Sequence, residues 1–377
     1  MNRILQINAG SDSFNSNSIN FGGVENFIIN IFRNINREKY VFDFLTVGKT
    51  TYGKYFNELK SAGANIYELK VVNNKVLRLM HFFIRLVIFL RNHKYKVAHI
   101  HTGALYLQTV SVLACYFARI PNIISHSHGS KKYNSLLSKL CKRIVSALST
   151  DKISCSLNAC KSIFDSDTIN RKKVKIINNG IDVKKYSFSE KARNKYRKQI
   201  GLENKFVVGH VGNFYEPKNH LLLINIFYEL QKIKKDSFLV LIGDGILRKR
   251  IENLINSLGM KDKVLLLGHR DDIPELLSSM DVFVFPSVHE GFPLTLLEAQ
   301  ASGLKCYISD SITREIDITD LVCRNNINLD PKLWAENVLN NYKICERSEY
   351  NKELIDKGYG LSRTASDIQN IYEKIHF

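Results

Sequence analysis

Short runs dominated by Val, Ile, Leu and Phe recur along the chain, separated by longer segments in which apolar residues return every three or four positions. The first kind of run predicts buried parallel strands, and the second predicts the helices that cover them. Strands are expected at Arg3–Ala9, Phe42–Val47, Asn65–Leu69, Val97–Ile100, Ile123–His126 and Lys152–Cys155. A second set is expected at Val207–Val211, Phe238–Ile242, Val264–Leu267, Val282–Phe285 and Lys305–Ser309. Such alternation argues for an α/β protein with parallel sheets flanked by helices. Between the two sets, Lys175–Lys185 contains Asn179-Gly180, a turn signal, and marks the expected hinge. A chain of 377 residues suits two domains better than one core. The expected division is 1–178 and 179–360, followed by a segment, 361–377, that is helical in pattern.

Bulk composition, with 45% hydrophobic and 24% charged residues, is ordinary for a globular chain and changes nothing until charge is divided between the halves. Residues 1–178 hold 26 Lys and Arg against 9 Asp and Glu, whereas residues 179–377 hold 28 against 27. Nearly all the excess positive charge therefore lies in the first half, a field suited to anionic lipid headgroups or nucleic acid. No zinc-finger or RNP-type motif accompanies it, which sets nucleic acid aside. Lys75–Lys96 is a local candidate for the lipid reading, with Met80, Phe83, Ile84 and Val87 on one helical stripe and Arg78, Arg85 and Arg91 on another side. It is either a helix that lies in a membrane interface or a core helix with its arginines in water. Leu136–Leu148, carrying Lys139, Lys142 and Arg143, is a second segment of the same kind.

No apolar run approaches the roughly 18 residues of a membrane span, and the first one is shorter than a signal-peptide core. Seven cysteines without a C-x-x-C pair fit reduced thiols in a cytoplasm better than disulfides or zinc.

The densest chemistry lies in Asp281–Asp310, which reads as strand, loop, helix and strand. Pro293 fits the first helical position, where a missing N–H costs nothing. The amides of Gly291, Phe292, Leu294 and Thr295 then surround a helix N-terminus, a place for a phosphate. Glu290 precedes that helix and Glu298 lies one turn inside it. Two carboxylates beside a phosphate site are natural partners for sugar hydroxyls, so the stretch points to a nucleotide sugar. Gly22-Gly23-Val24-Glu25 opens an apolar helical run and lets backbone approach a phosphate or an acceptor. Two H-x-H pairs, His99/His101 and His126/His128, end predicted strands and put imidazoles on one side. No carboxylate or cysteine accompanies them at metal-ligand spacing, so no metal is expected. Gly209–His220 joins a strand to a helix and contains Asn213 and Lys218; Gly243-Asp-Gly245, with Arg248 following, is a tight turn of the nucleotide-binding type.

Glu290-x7-Glu298, followed by Ala-Gln-Ala-Ser-Gly and set in strand–loop–helix context, resembles the signature of the retaining family-4 glycosyltransferases of GT-B fold. The wording DVFVFPS…EGFPLTLLEAQASG is most similar to enzymes that build bacterial capsule, exopolysaccharide and O-antigen chains. The resemblance implies two Rossmann-like domains facing each other across a cleft, an N-G-[IV]-D word opening the second, and a C-terminal helix that crosses back to the first. It implies an acceptor-binding first domain, a nucleotide-sugar-binding second domain, and transfer of a hexose or N-acetylhexosamine from a UDP-linked donor. The implied acceptor is a saccharide on a polyprenyl diphosphate, at the inner face of the plasma membrane. His128, Glu290 and Lys218 take the catalytic positions, with His128 on the donor sugar and His99 and His101 lining the cleft or satisfying the strand end. Gly22, Gly23, Lys218, Gly243, Arg270, Glu290, Gly291, Phe292, Pro293, Leu294, Thr295 and Glu298 take donor-binding positions, Glu298 at the ribose diol. Asn213 stands where the family has an arginine, which removes a positive charge from the diphosphate site. No cofactor and no metal are implied, and the departing phosphate takes the acceptor's proton in a front-face attack. A nucleotide-sugar epimerase of the same fold and a non-catalytic scaffold are the alternatives.

Overall fold

The computed structural model describes residues 1–8, 23–47, 55–72, 74–129, 131–342, 347 and 350–376. They form two compact units, Met1–Gly180 with Leu361–Phe377, and Ile181–Gly360. In the N-terminal unit, β1 (Asn2–Asn8), β2 (Tyr40–Val47), β3 (Ile66–Leu69), β4 (Val97–Thr102), β5 (Asn122–Ser127), β6 (Asp151–Ser154) and β7 (Lys175–Ile176) make one parallel sheet in the order β3-β2-β1-β4-β5-β6-β7. In the C-terminal unit, β8 (Phe206–Val211), β9 (Ser237–Ile242), β10 (Val264–Leu266), β11 (Val282–Phe285), β12 (Lys305–Ser309) and β13 (Val322–Asn325) make another in the order β10-β9-β8-β11-β12-β13. The edge strands β7 and β13 have no counterpart in the hydrophobic pattern: one is two residues long and the other reads Val-Cys-Arg-Asn.

Both faces of the N-terminal sheet are covered, which is why its central strands are apolar on both sides. One face carries the helices Lys75–His93, Leu105–Phe117 and Leu136–Leu148, packed through Phe82, Leu86, Leu90, Val112 and Val145. The Lys75–His93 helix thus lies on the sheet, while Met80 and Ile84 from its expected apolar stripe stay exposed. The other face carries Gly23–Asn34 and the C-terminal helix Leu361–Tyr372, which contribute Phe27, Ile28, Ile31, Ile368 and Tyr372. In the C-terminal unit, Asp281 anchors the start of β11. Its carboxylate accepts from Arg193 at 2.5 Å, from Arg197 at 2.6 Å and from the Val207 amide at 2.7 Å.

Each sheet reverses its direction of growth once, between β1 and β4 and between β8 and β11. The carboxyl ends of strands at such a switch point form the crevice in which α/β sheets take ligands. His101 lies near the end of β4, Gly212 and Asn213 follow β8, and Glu290 follows β11.

Candidate active site

The two loops at the C-terminal switch point are tied together. The Val288 amide donates to the Pro217 carbonyl at 2.8 Å, and the second loop is braced in turn by Ser311, after β12, whose Oγ donates to the Ser287 carbonyl at 3.0 Å. This tie sets Lys218 Nζ 2.7 Å from Glu290 Oε1, in a pair only 21% and 14% exposed. The ammonium also lies 4.9 Å from the centre of the Phe285 ring. The helix Leu294–Ala301 begins after Pro293, which is its N-cap and not its first turn, at φ −76° and ψ 102°. An extended residue before the helix suits proline as well as the first turn does. The first-turn amides lack carbonyls four residues back to bond. Thr295 Oγ1 is buried beside them and has no hydrogen-bond partner among the described residues. Phe292 is held by a parallel stack on Tyr359, 5.7 Å between centroids.

Glu298 lies inside the same helix and accepts a hydrogen bond from Tyr186. Burial pushes its carboxyl up to about 7, against the pull of Tyr186 and the Lys185 charge. Gly243 and Gly245 close the neighbouring turn. A Cβ at Gly243, whose φ is +135°, would lie 2.2 Å from the Gly212 carbonyl oxygen, and one at Gly245 would lie 2.6 Å from that of Phe214. Both glycines are therefore needed to bring this turn against the Asn213 loop. Asn213 is partly buried and brings no charge. Arg270 is exposed and its guanidinium is paired with Asp272.

At the N-terminal switch point, parallel register places His101 beside His126, and the four imidazoles stack on one face of β4 and β5. His99, His101 and His126 are fully buried under Phe27 and Tyr372, so His99 and His101 face the interior and line no surface. The apolar cover of Gly23–Asn34 and Leu361–Tyr372 is the physical reason. His128 follows β5 and keeps partial exposure.

The hydrogen bonds around this stack fix the protons of His101 and His128. Gln6 Oε1, which can only accept, lies 2.8 Å from His101 Nε2, so the proton of neutral His101 sits there. His101 Nδ1 is then an acceptor, and His128 Nε2, 3.0 Å away, donates to it. His128 is left with a bare Nδ1 that has no partner among the described residues. Gln6 Nε2 donates to the Tyr372 hydroxyl at 3.3 Å, which lies 2.6 Å from His99 Nδ1. Burial lowers the His99 and His128 pKa values to about 3 and holds those of His101 and His126 well below the usual range, so the stack is neutral.

His99, His101 and His126 offer nitrogens within 4.8 Å of one another, close enough to share a metal ion. Both His101 nitrogens are already hydrogen-bonded, however, which leaves that ring no free lone pair for an ion.

Of the residues expected at a site, the structure pairs Lys218 with Glu290 in the C-terminal unit and carries Thr295 and Glu298 on the helix that follows, with Asn213 and Gly243 on the loops after β8 and β9. His128 belongs to the N-terminal unit, Gly23 begins the Gly23–Asn34 helix, and Gly22 lies outside the described residues. Sequence reasoning missed Gln6, Tyr186 and Tyr359. All three act through partners more than ninety residues away or carry no motif, apart from the charged word Asp182–Lys185 before Tyr186.

Comparison with known proteins adds a lineage to this geometry. Residues 192–318 match the family Glycosyl transferases group 1, and residues 21–185 match Glycosyltransferase Family 4. EpsF of Bacillus subtilis, which is named as a glycosyltransferase, is 31% identical over 365 residues, covering 94% of each chain. The UDP-Gal:alpha-D-GlcNAc-diphosphoundecaprenol alpha-1,3-galactosyltransferase of Escherichia coli is 31% identical over 248 residues, covering 63% of this chain and 64% of its own. Among solved structures, HepE of Anabaena in complex with UDP-glucose superposes with a TM-score of 0.75 at 18% identity, over 98% of this chain and 100% of its own.

Proposed function

The chain belongs to the family-4 glycosyltransferases and has their GT-B fold, and we propose that it is a retaining enzyme of surface-polysaccharide synthesis. It moves a hexose or N-acetylhexosamine from a UDP-linked donor to a saccharide acceptor on a polyprenyl diphosphate, at the inner face of the plasma membrane. The UDP and undecaprenol chemistry named for the relatives supports the donor and acceptor classes. The observation that carries the reading is the Lys218–Glu290 pair beside the Leu294–Ala301 helix N-terminus, where a buried Thr295 hydroxyl waits for a partner.

An ammonium has three N–H donors, and Glu290 takes one. The others are available to the donor diphosphate, whose negative charge grows as the glycosidic bond breaks. Lys218 and the first-turn amides stabilise that charge, and Thr295 adds a hydroxyl. Glu290 holds hydroxyls of the transferred sugar and, through Lys218, links sugar and phosphate in one contact. Glu298 takes the ribose diol. His128 accepts a sugar hydroxyl at its bare Nδ1. Asn213 leaves the diphosphate with one cation fewer than the family pattern, a deficit the amides and Thr295 offset. With no second carboxylate assigned as nucleophile, the phosphate oxygen that departs takes the acceptor proton on the same face.

The test is incubation of the protein with UDP-sugars and a lipid-linked acceptor, with the product's anomeric configuration read by NMR. A product of retained configuration is expected. Inversion would overturn the mechanism, and epimerised donor in the absence of acceptor would replace transfer with the epimerase alternative.

A further inference from the structure

The helices Lys75–His93, Leu105–Phe117 and Leu136–Leu148 lie side by side on one face of the N-terminal sheet. They bury one set of apolar residues and expose another. On Lys75–His93, Phe82, Leu86 and Leu90 enter the core, while Leu77, Met80, Ile84 and Ile88 form an outward stripe at spacings of three and four residues. Phe117 at the end of Leu105–Phe117 is exposed and meets Phe83 edge-on at 5.8 Å. The first two turns of Leu136–Leu148 expose Leu136, Leu137 and Leu140, Leu136 by 84%. Ten large apolar side chains are exposed on these three neighbouring helices, against five in the whole described C-terminal unit. That concentration on one helix layer calls for a partner.

Charge identifies the partner. Between Glu68 and Asp151 the chain has thirteen Lys and Arg and no Asp or Glu. Arg85, Lys139 and Arg143 are exposed among the apolar residues. A second copy of this face would bring cations against cations, which opposes self-association. Nucleic acid would take the charges but leave the Leu and Ile side chains in water. An anionic bilayer satisfies both, with phosphates for the cations and acyl chains for the leucines. No described helix is long and apolar enough to cross a membrane, so the fit is to a surface.

We propose that this three-helix face docks the protein on anionic lipid, with Met80, Ile84, Leu136, Leu137 and Leu140 inserted and Arg85, Lys139 and Arg143 on headgroups. The Leu136–Leu148 helix starts at the same strand end as His128, eight residues further on. Docking through it holds that strand end at the membrane, where a lipid-linked acceptor would present its sugar, and in this respect the proposal rests on the acceptor assigned above.

The experiment is co-sedimentation with phosphatidylglycerol-rich vesicles and with phosphatidylcholine vesicles, for the wild type, an Arg85→Glu/Lys139→Glu/Arg143→Glu variant and a Leu136→Ser/Leu137→Ser/Leu140→Ser variant. Thermal unfolding checks that the variants fold. The wild type is expected on the anionic vesicles only. Charge reversal should lower partitioning by roughly a hundredfold, at a factor of about five per cationic contact, and the Leu variant should also release. Transfer to a water-soluble acceptor analogue should be unchanged in both variants, while transfer to a vesicle-embedded acceptor falls. No wild-type binding, or equal binding by folded variants, overturns the docking face. A wild-type dimer dissociated by the Leu variant overturns it in favour of a protein interface. Vesicle binding without transfer to any acceptor leaves the docking face standing and removes the acceptor assignment.

Discussion

The two switch points share a topology and differ in chemistry. In the C-terminal unit the strand ends carry ions, Lys218 against Glu290, partly open to solvent and beside the first turn of Leu294–Ala301. In the N-terminal unit they carry four stacked imidazoles held neutral, three of them fully buried. The same crevice can thus be built to meet charge that develops during a reaction, or to offer hydrogen bonds whose direction does not change with pH. An ionic site gains from rearranging its charges, whereas a neutral one gains from keeping each proton where packing put it.

Breaking the ionic side should cost most. Glu290→Ala is expected to lower kcat by about a thousandfold while the protein folds normally, and Lys218→Ala to lower kcat/KM by about a hundredfold with weaker UDP binding. Steady-state kinetics and calorimetry check both, and unchanged turnover in the two would dissolve the contrast. On the neutral side, Gln6→Leu and His101→Phe remove the contacts that place the His128 proton. A loss of about tenfold in kcat/KM is expected, the worth of one hydrogen bond. Nitrogen NMR of the imidazoles should show His128 leaving its Nε2–H tautomer, a signal that simple loss of packing would not produce.

Glu298 tests the boundary between the two regimes. Its folded carboxyl titrates at about 7 against an ordinary 4.5, so the folded state holds the proton more tightly than the unfolded one. Stability is therefore greatest below the ordinary value and is lost as pH rises through about 7, by at most about 2 kcal/mol since some solvent contact remains. Binding needs the opposite form. UDP affinity should weaken as pH falls below about 7, and Glu298→Gln should flatten that dependence while raising Tm at alkaline pH. The smallest effect is expected from Asn213→Arg, which restores the family's cation and should tighten UDP binding a few fold, roughly one exposed charge contact.

Much of this was legible from periodicity and punctuation. The helix Leu294–Ala301 ends before Gly303 as its pattern predicts, and the central strands fall within a residue or two of the apolar runs because both faces of each sheet are covered. Local pattern carries no information about pairs far apart in the chain. Lys218 and Glu290 meet across 72 positions through a single amide-to-carbonyl tie, and Gln6 reaches His101 across 95. The edge strands β7 and β13 were equally silent, since an edge needs neither length nor two apolar faces. The H-x-H words gave the right side of the strands, but only the covering helices decide that His99 and His101 are interior.

The place of Leu361–Tyr372 in the N-terminal core bears on how the protein is made. Tyr372 hydrogen-bonds Gln6 and His99, so β1 and β4 wait for a helix residue translated at least 273 positions later. While the ribosome is still at work, the intervening Ile181–Gly360 unit has all its own residues and can fold first, against the usual vectorial order. A nascent chain halted short of residue 361 lacks the lid over its histidines and leaves the apolar partners of Ile368 and Tyr372 bare.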